Sequence, residues 1–253
     1  MAKPENQNAQ PARAPLPAMP AYYGDAEGKR RFTRRMFDSS AVDYDRVDRL
    51  LAFGSGSWYR RKALLRAGLA PGMRMLDVAV GTGLVAREAA SIVGAQGSVI
   101  GLDPSAGMLA QSGLHGLTLV RGRAESLPFA SASFDFLCMG YALRHLADVQ
   151  VVFEEFRRVL KPGGRVLVLE ITRPEGRLPL TVLKAYLHVV LPVLARVVAR
   201  SRDTATLYRY YWETIEACVP PARILATLSA AGFARAAHAP QLGIFSEYTA
   251  SLR

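Results

Sequence analysis

The eleven residues MRMLDVAVGTG, Met73 to Gly83, decide the fold. Met73 to Ala79 is a short run dominated by large apolar side chains, and it stops at a glycine turn that opens a helical pattern over Leu84 to Val93. A short apolar run, a turn and an amphipathic helix in that order make the first half of a strand-helix-strand unit. Outward from it the alternation continues. SVIGLD (Ser98 to Asp103) precedes a helix from about Ser105, Leu117 to Arg121 follows, and FDFLCM (Phe134 to Met139) comes next. A helix over Asp148 to Leu160 is ended by Lys-Pro-Gly-Gly at 161 to 164, and RVLVLEI (Arg165 to Ile171) closes the series. Strands that alternate with helices need crossover connections, so the sheet is mostly parallel with helices on both faces. The fold class is α/β, doubly wound, and no internal repeat interrupts it.

Composition narrows the rest. Half of the 253 residues are hydrophobic and 21% are charged, ample for a core and inconsistent with wholesale disorder. Two cysteines, Cys138 and Cys218, cannot build a disulfide framework or a cysteine zinc site, so a reducing cytoplasm is expected and no metal. Residues 1 to 21 hold five of the fifteen prolines and few large apolar side chains, which predicts a disordered tail, and no apolar stretch there suggests a secretory signal.

The net charge of +11, with 27 Arg against 5 Lys, favours anionic partners, although GC-rich coding inflates arginine by itself. KRRFTRR (Lys29 to Arg35) is the one dense basic run, and on a helix Arg30, Arg31, Arg34 and Arg35 would share one side. Leu178 to Ala199 is long and apolar enough to raise a membrane span. It also contains Lys184, His188 and Arg196, with prolines at 179 and 192, and charges at such depth are costly. A helical lid over the sheet is the expectation there.

The glycine turn after the first strand lets a ligand approach the backbone, and the helix behind it supplies unpaired N–H groups. The nicotinamide or flavin fingerprint, G-x-G-x-x-G, is only partly matched, since Ala86 stands at its third glycine. Asp103, at the end of the second strand, is placed to accept hydrogen bonds from ribose hydroxyls, or else to cap the helix that follows. That spacing fits an adenosine ligand and does not separate a dinucleotide from S-adenosylmethionine.

Further segments separate them. MFDSSAVDYDRVDRLLAFGSGSWYRR (Met36 to Arg61), DVAVGTG, GLDPSAGML (Gly101 to Leu109), RAESLPFASASFD (Arg123 to Asp135), YALRH (Tyr141 to His145) and RRVLKPGGRVLVLEITRP (Arg157 to Pro174) occur in order. In these the chain resembles the class I S-adenosylmethionine-dependent methyltransferases, and more closely the ubiquinone/menaquinone biosynthesis C-methyltransferase family. The resemblance runs from about residue 30 to the C-terminus. It implies a seven-stranded Rossmann-like sheet with extra N-terminal helices and an inserted helical lid. The domain it implies spans 22–253, divided into a helical cap (22–70), a cofactor-binding core (72–171) and a lid or substrate region (178–219).

Carried over by position, the resemblance sets the methionyl end of S-adenosylmethionine against Asp77, Ala79, Gly81, Thr82 and Gly83. It sets ribose on Asp103 beside Pro104 and Met108, the adenine edge near Arg123, Ala124 and Glu125, and the reacting methyl beyond Met139, near Tyr141 to His145. Three departures stand out: Ala79 and Val80 replace glycines, Arg123 replaces Asp or Asn, and Leu143-Arg144-His145 replaces Leu/Ile-Arg-Asn.

A sulfonium already activates its methyl group, so the protein's task is in-line alignment and exclusion of water. A phenolic or quinol ring carbon also needs its hydroxyl proton removed. His145 is the candidate base, Arg144 the candidate oxyanion stabiliser, and Tyr141 the next candidate. Tyr44, Tyr59, Tyr186, His188, Tyr208 and Trp212 are candidates to line the acceptor pocket. The expected partners are a small lipophilic aromatic substrate and, through Lys29 to Arg35, an anionic membrane surface, with a homodimer left open and no nucleic acid. The expected place is therefore cytoplasmic, with peripheral membrane contact. The rival functions are methylation of a specialised metabolite on carbon, oxygen or nitrogen, a non-catalytic cofactor-binding subunit, and a nucleic-acid methyltransferase.

Overall fold

The computed structural model describes residues 10–17, 19–51, 54–114, 116–174, 176–186 and 204–253. Two helices lead: α1 (Ala26–Leu51) and α2 (Gly56–Arg66). The alternating core follows as β1 (Arg74–Val78), α3 (Leu84–Val93), β2 (Ser98–Asp103), α4 (Ala106–Gln111), β3 (Thr118–Arg121) and β4 (Phe134–Gly140). A 3-10 turn over Leu143–His145 then precedes α5 (Val149–Val159) and β5 (Leu160–Ile171). The chain ends with α6 (Arg177–Ala185), α7 (Thr204–Ala217), α8 (Pro221–Ala230), β6 (Ala234–Gln241) and β7 (Phe245–Ser251).

The seven strands lie in the order β3-β2-β1-β4-β5-β7-β6. All pairs are parallel up to β5, and β7 runs antiparallel between β5 and β6. Side chains alternate between two layers, as the pleat requires. Leu76, Val78, Leu137, Met139, Val166 and Val168 pack with α5 and α8, while Met75, Phe136, Cys138, Leu167 and Leu169 pack with α2 and α3. Strand order reverses direction between β1 and β4, so their carboxyl ends open the crevice where sheets of this kind take their ligands.

Two expectations are corrected. Residues 10–17 are not part of a disordered tail. Ala12 and Leu16 are buried, and Ala12 exchanges backbone hydrogen bonds with the Thr227 hydroxyl. Arg13 O accepts from Val149 N (2.8 Å), and Pro15 O accepts from Val219 N (3.0 Å). The physical reason is that the first N–H groups of a helix have no partner within it. A proline-rich segment, rich in free carbonyls, satisfies the one at the start of α5. β5 is also longer than the run from Arg165. Leu160 already pairs with Phe134, and Lys-Pro-Gly-Gly forms an irregularity within the strand before Arg165 pairs with Phe136. Of the expected lid, α6 and α7 are described, whereas 187–203, hence most of the apolar run after Tyr186, lie outside the described residues. Among the described residues no helix is long and apolar enough to cross a membrane.

Candidate active site

Asp77, in the middle of the sheet, is 1% exposed, and its Oδ2 has no partner among the described residues. Burial, and next the charge of Asp103, push its carboxyl up to about 8, against a weaker lowering by the Ala86 backbone N–H. Past β1 the backbone turns left-handed at Ala79 (φ 58°) and Gly81 (φ 57°), and Gly83 (φ 88°) caps α3. The glycines differ in purpose. A Cβ on Gly81 would meet nothing within 4 Å, whereas one on Gly83 would sit 2.4 Å from Leu114 Cδ1. Gly81 therefore leaves open space for a ligand, and Gly83 is small so that the helix can pack.

Asp103 holds the loop in place. Its two oxygens accept from Gly81 N and Ser105 N, each at 2.8 Å, and burial raises its carboxyl to about 6. It is not the helix cap, since the Ser105 hydroxyl fills that place by accepting from Met108 N (3.0 Å). Around these groups lies a cavity of about 190 Å³. Of the predicted cofactor residues, Ala79, Gly81, Asp103, Pro104, Met108, Arg123, Ala124 and Glu125 line it. Asp77, Thr82, Gly83 and Met139 do not; Met139 is a core residue, and the Thr82 hydroxyl donates to Asp45 on α1.

The same cavity reaches the end of β4, where Tyr141 and His145 line it. Tyr141 has φ 60°, an uncommon conformation for a bulky residue, and burial drives its hydroxyl above the ordinary phenol range. The His145 ring stacks on Tyr210 (5.5 Å between centroids) and meets Phe37 edge-on (5.2 Å). Its Nδ1 lies 3.4 Å from the Tyr210 hydroxyl, and its buried Nε2 has no partner among the described residues. Burial, then Arg144, then Lys29 hold this imidazole well below its usual range, so the ring is neutral at physiological pH. Arg144 is not where the sequence suggested. It is 2% exposed, does not line the cavity, pairs with equally buried Glu170 and packs over the Tyr211 ring at 5.0 Å.

What sequence reasoning missed is that α1 forms the roof. Glu27, Arg30, Arg31, Thr33, Arg34 and Phe37 join the expected Tyr44, all on α1, to complete the cavity wall. Asp38 anchors the helix by accepting from Ser105 Oγ (2.5 Å) and Gly107 N (2.9 Å). An acidic residue placed as Asp38 is within MFDSS, directly after the apolar Met36 and Phe37, was the available signal. The basic run is thus divided. Lys29 is buried, so it is no part of a lipid-facing surface; Arg30 and Arg31 pair with Glu27 (2.7 and 3.6 Å) at the cavity mouth, beside Arg34. Of the aromatic candidates Tyr44 lines the cavity, whereas Tyr59, Tyr186 and Trp212 do not. His188 and the side chain of Tyr208 lie outside the described residues.

A doubly wound sheet with an acidic residue near the end of β1 and another ending β2, a left-handed loop open at Gly81, and a cavity running from that loop to the end of β4 fits adenosine at one end and a sulfonium at the other. Fold and site define a class I S-adenosylmethionine-dependent methyltransferase. The chain belongs to the ubiE/COQ5 methyltransferase family, which it matches over residues 25–249. It is 36% identical over 201 residues to the demethylmenaquinone methyltransferase of Mycobacterium sp. strain KMS, covering 79% of this chain and 84% of that one. It is 34% identical over 211 residues to the 2-phytyl-1,4-naphtoquinone methyltransferase of Synechococcus elongatus, with 80% and 89% covered. The solved S-adenosylmethionine-dependent methyltransferase from Aquifex aeolicus shares the fold with a TM-score of 0.57 at 19% identity, covering 77% of this chain and 89% of that one.

Proposed function

We propose that the protein transfers a methyl group from S-adenosylmethionine to a ring carbon of a lipophilic quinol, a naphthoquinol with an apolar side chain being the acceptor class favoured by its relatives' names. The observation that carries this reading is the single cavity that joins the Gly81 loop and Asp103 to His145 at the end of β4. When bound, the cofactor supplies an electrophilic methyl on a sulfonium. The chain's own residues do the rest. Asp103 meets the ribose while keeping the loop folded. Asp77, buried behind the loop that lines the cavity, favours the cationic methionyl end through its charge rather than by contact, which explains an otherwise unfavourable buried carboxyl.

At the acceptor end, the neutral His145 receives a hydrogen bond from the quinol hydroxyl at Nε2. Burial first, then Arg144 and Lys29, keep it neutral, and the two cations also favour negative charge on that oxygen. Arg144 therefore acts through its field and through the position of the turn, and is not in contact with the acceptor. The ring carbon takes the methyl group and leaves a neutral thioether behind; the proton then lost from the ring carbon is balanced by return of a proton to the quinol oxygen, and the one proton released overall passes through His145 Nε2 to solvent. The aromatic faces of Phe37, Tyr44 and Tyr210 keep water from the reacting centre.

A membrane-soluble acceptor is best collected at a membrane surface, and Arg30, Arg31, Arg34 and Arg35 on α1 are the residues available for anionic headgroups. Each contributes ~1 kcal/mol, screened by salt. The experiment that tests the function is a search of lysate lipids, incubated with protein and cofactor, for products one methylene heavier. A modified prenylated quinone supports the reading, and a heavier polar metabolite with quinones unchanged refutes it. Flotation on anionic vesicles, compared with a variant carrying Gln at those four arginines, tests the surface; equal flotation of both refutes it.

A further inference from the structure

Lys29 is 5% exposed and makes no ion pair among the described residues, an uncommon state for a lysine. Its Nζ donates to two backbone carbonyls, those of Leu146 (2.6 Å) and Arg144 (3.2 Å). The ring of Tyr23 stands 5.9 Å away. Those carbonyls flank His145 on either side. Lys29 itself belongs to α1, whose later turns roof the cavity through Thr33, Phe37 and Tyr44. A buried charge loses its hydration, and a side chain that did nothing but fill space would be less costly there as methionine or leucine.

We propose that Lys29 is a positioning residue for the methyl transfer: its ammonium clamps the His145 turn by both neighbouring carbonyls and fastens it to α1, so that roof and acceptor-facing imidazole are held as one unit. The inference rests on reading His145 as the group that meets the acceptor. Geometry of this kind sets rate more than affinity, because the clamp touches neither cofactor nor acceptor. It also gives Lys29 a second effect. The charged groups facing the imidazole are Lys29 from α1 and Arg144 from its own turn, and both disfavour its protonation. Facing Lys29 in turn are Glu125 and Cys218, which favour its charge, against a burial that lowers its own titration to about 8.

The test is Lys29→Met beside Lys29→Arg, with two readouts. Turnover of a short-chain prenyl naphthoquinol falls about 10²-fold in Lys29→Met while affinity for S-adenosylmethionine holds, the loss expected of a misplaced reacting group. Lys29→Arg keeps the charge and a donor, and recovers part of the rate. The second readout needs no acceptor: among the protein's four histidines, the imidazole signal that disappears in His145→Asn titrates higher in Lys29→Met than in the parent, and stays low in Lys29→Arg. A merely structural lysine would not move it in this charge-dependent way. Should Lys29→Met not fold, Lys29→Gln removes the charge with a donor retained and gives the same imidazole shift. An imidazole that titrates alike in parent and uncharged variants, or parental turnover in Lys29→Met, overturns the assignment. A parent that leaves naphthoquinol untouched while the imidazole shift appears supports Lys29 and contradicts the acceptor reading alone.

Discussion

Replacing Asp77 by Asn is predicted to stabilise the ligand-free protein and at the same time to weaken its hold on the cofactor. Asp77 is 1% exposed and its carboxyl is raised from 3.8 to about 8, by burial first and by Asp103 second. A folded-state value above the unfolded one means a contribution that is intact below pH 3.8 and lost progressively as pH rises toward 8. At pH 7 the unfolded chain has released this proton and the folded chain has kept it. The difference amounts to about 4 kcal/mol at roughly 1.4 kcal/mol per pH unit. Asparagine has no such proton to retain. Its amide leaves an N–H unpaired where the protonated acid leaves an O–H, so the desolvation of the two is comparable. Ligand-free Asp77→Asn should therefore melt higher than the parent at pH 7, with the gain shrinking to nothing near pH 4. Calorimetric titration with S-adenosylmethionine should show the opposite sign, a loss of about 2 kcal/mol, the attraction of opposite unit charges ~8 Å apart at an effective dielectric constant of ~20. The parent should release a proton on binding at pH 7, visible as buffer-dependent heat, because a cationic ligand favours the ionised acid. Lower stability of the variant at pH 7, or unchanged affinity, would refute the reasoning.

Three further substitutions probe the rest of the site. Asp103→Ala should weaken cofactor binding by about 1.5–3 kcal/mol in titration and also lower the melting temperature, because Gly81 N and Ser105 N lose their acceptor; unchanged affinity would show that the ribose lies elsewhere. Arg144→Met should cost about 3–5 kcal/mol in denaturant unfolding by leaving Glu170 buried and unpaired, and Arg144→Met with Glu170→Met should recover most of it. No recovery in the double variant would mean that the pair is not the reason for the loss. His145→Ala should leave cofactor affinity intact and lower turnover, ~10²–10⁴-fold if the imidazole transfers the proton itself. Rescue in His145→Asn would point to hydrogen-bond positioning, and parental rates in both variants would remove His145 from the mechanism.

The parallel core was legible because β1, β2 and β4 are buried along most of their length and read as short, mostly apolar runs. β6 and β7 were not. ARAAHAPQ has weak strand preference, alternates between half-exposed and exposed positions, and carries Pro240, which an edge strand tolerates and a central one does not. The structure joins the glycine loop to Asp103 through the Gly81 N–H and lines one cavity with both, and both were legible from spacing. The division of labour among their neighbours was not, since whether a glycine faces a ligand, as Gly81 does, or a leucine, as Gly83 does, depends on tertiary packing. The basic run shows the same limit. Seven residues of sequence cannot reveal that Lys29 turns inward onto carbonyls more than a hundred positions away while Arg31 stays in solvent. Arg144 and Glu170 likewise meet only because β4 and β5 pair with Gly140 opposite Leu169. Ala79, in a left-handed conformation where the family commonly has glycine, marks a departure visible in sequence whose strain only the backbone reveals.

The central claim, methylation of a quinol at carbon, is tested most directly with purified protein, a reduced short-chain prenyl naphthoquinol and S-adenosylmethionine carrying a deuterated methyl group. The account predicts a product that carries the intact label and, on exposure to air, still oxidises to a quinone, because a C-methylated quinol keeps both hydroxyls. A labelled product that resists oxidation would be an ether and would contradict transfer to carbon, and no labelled product at all, from protein that binds the cofactor, would contradict the acceptor.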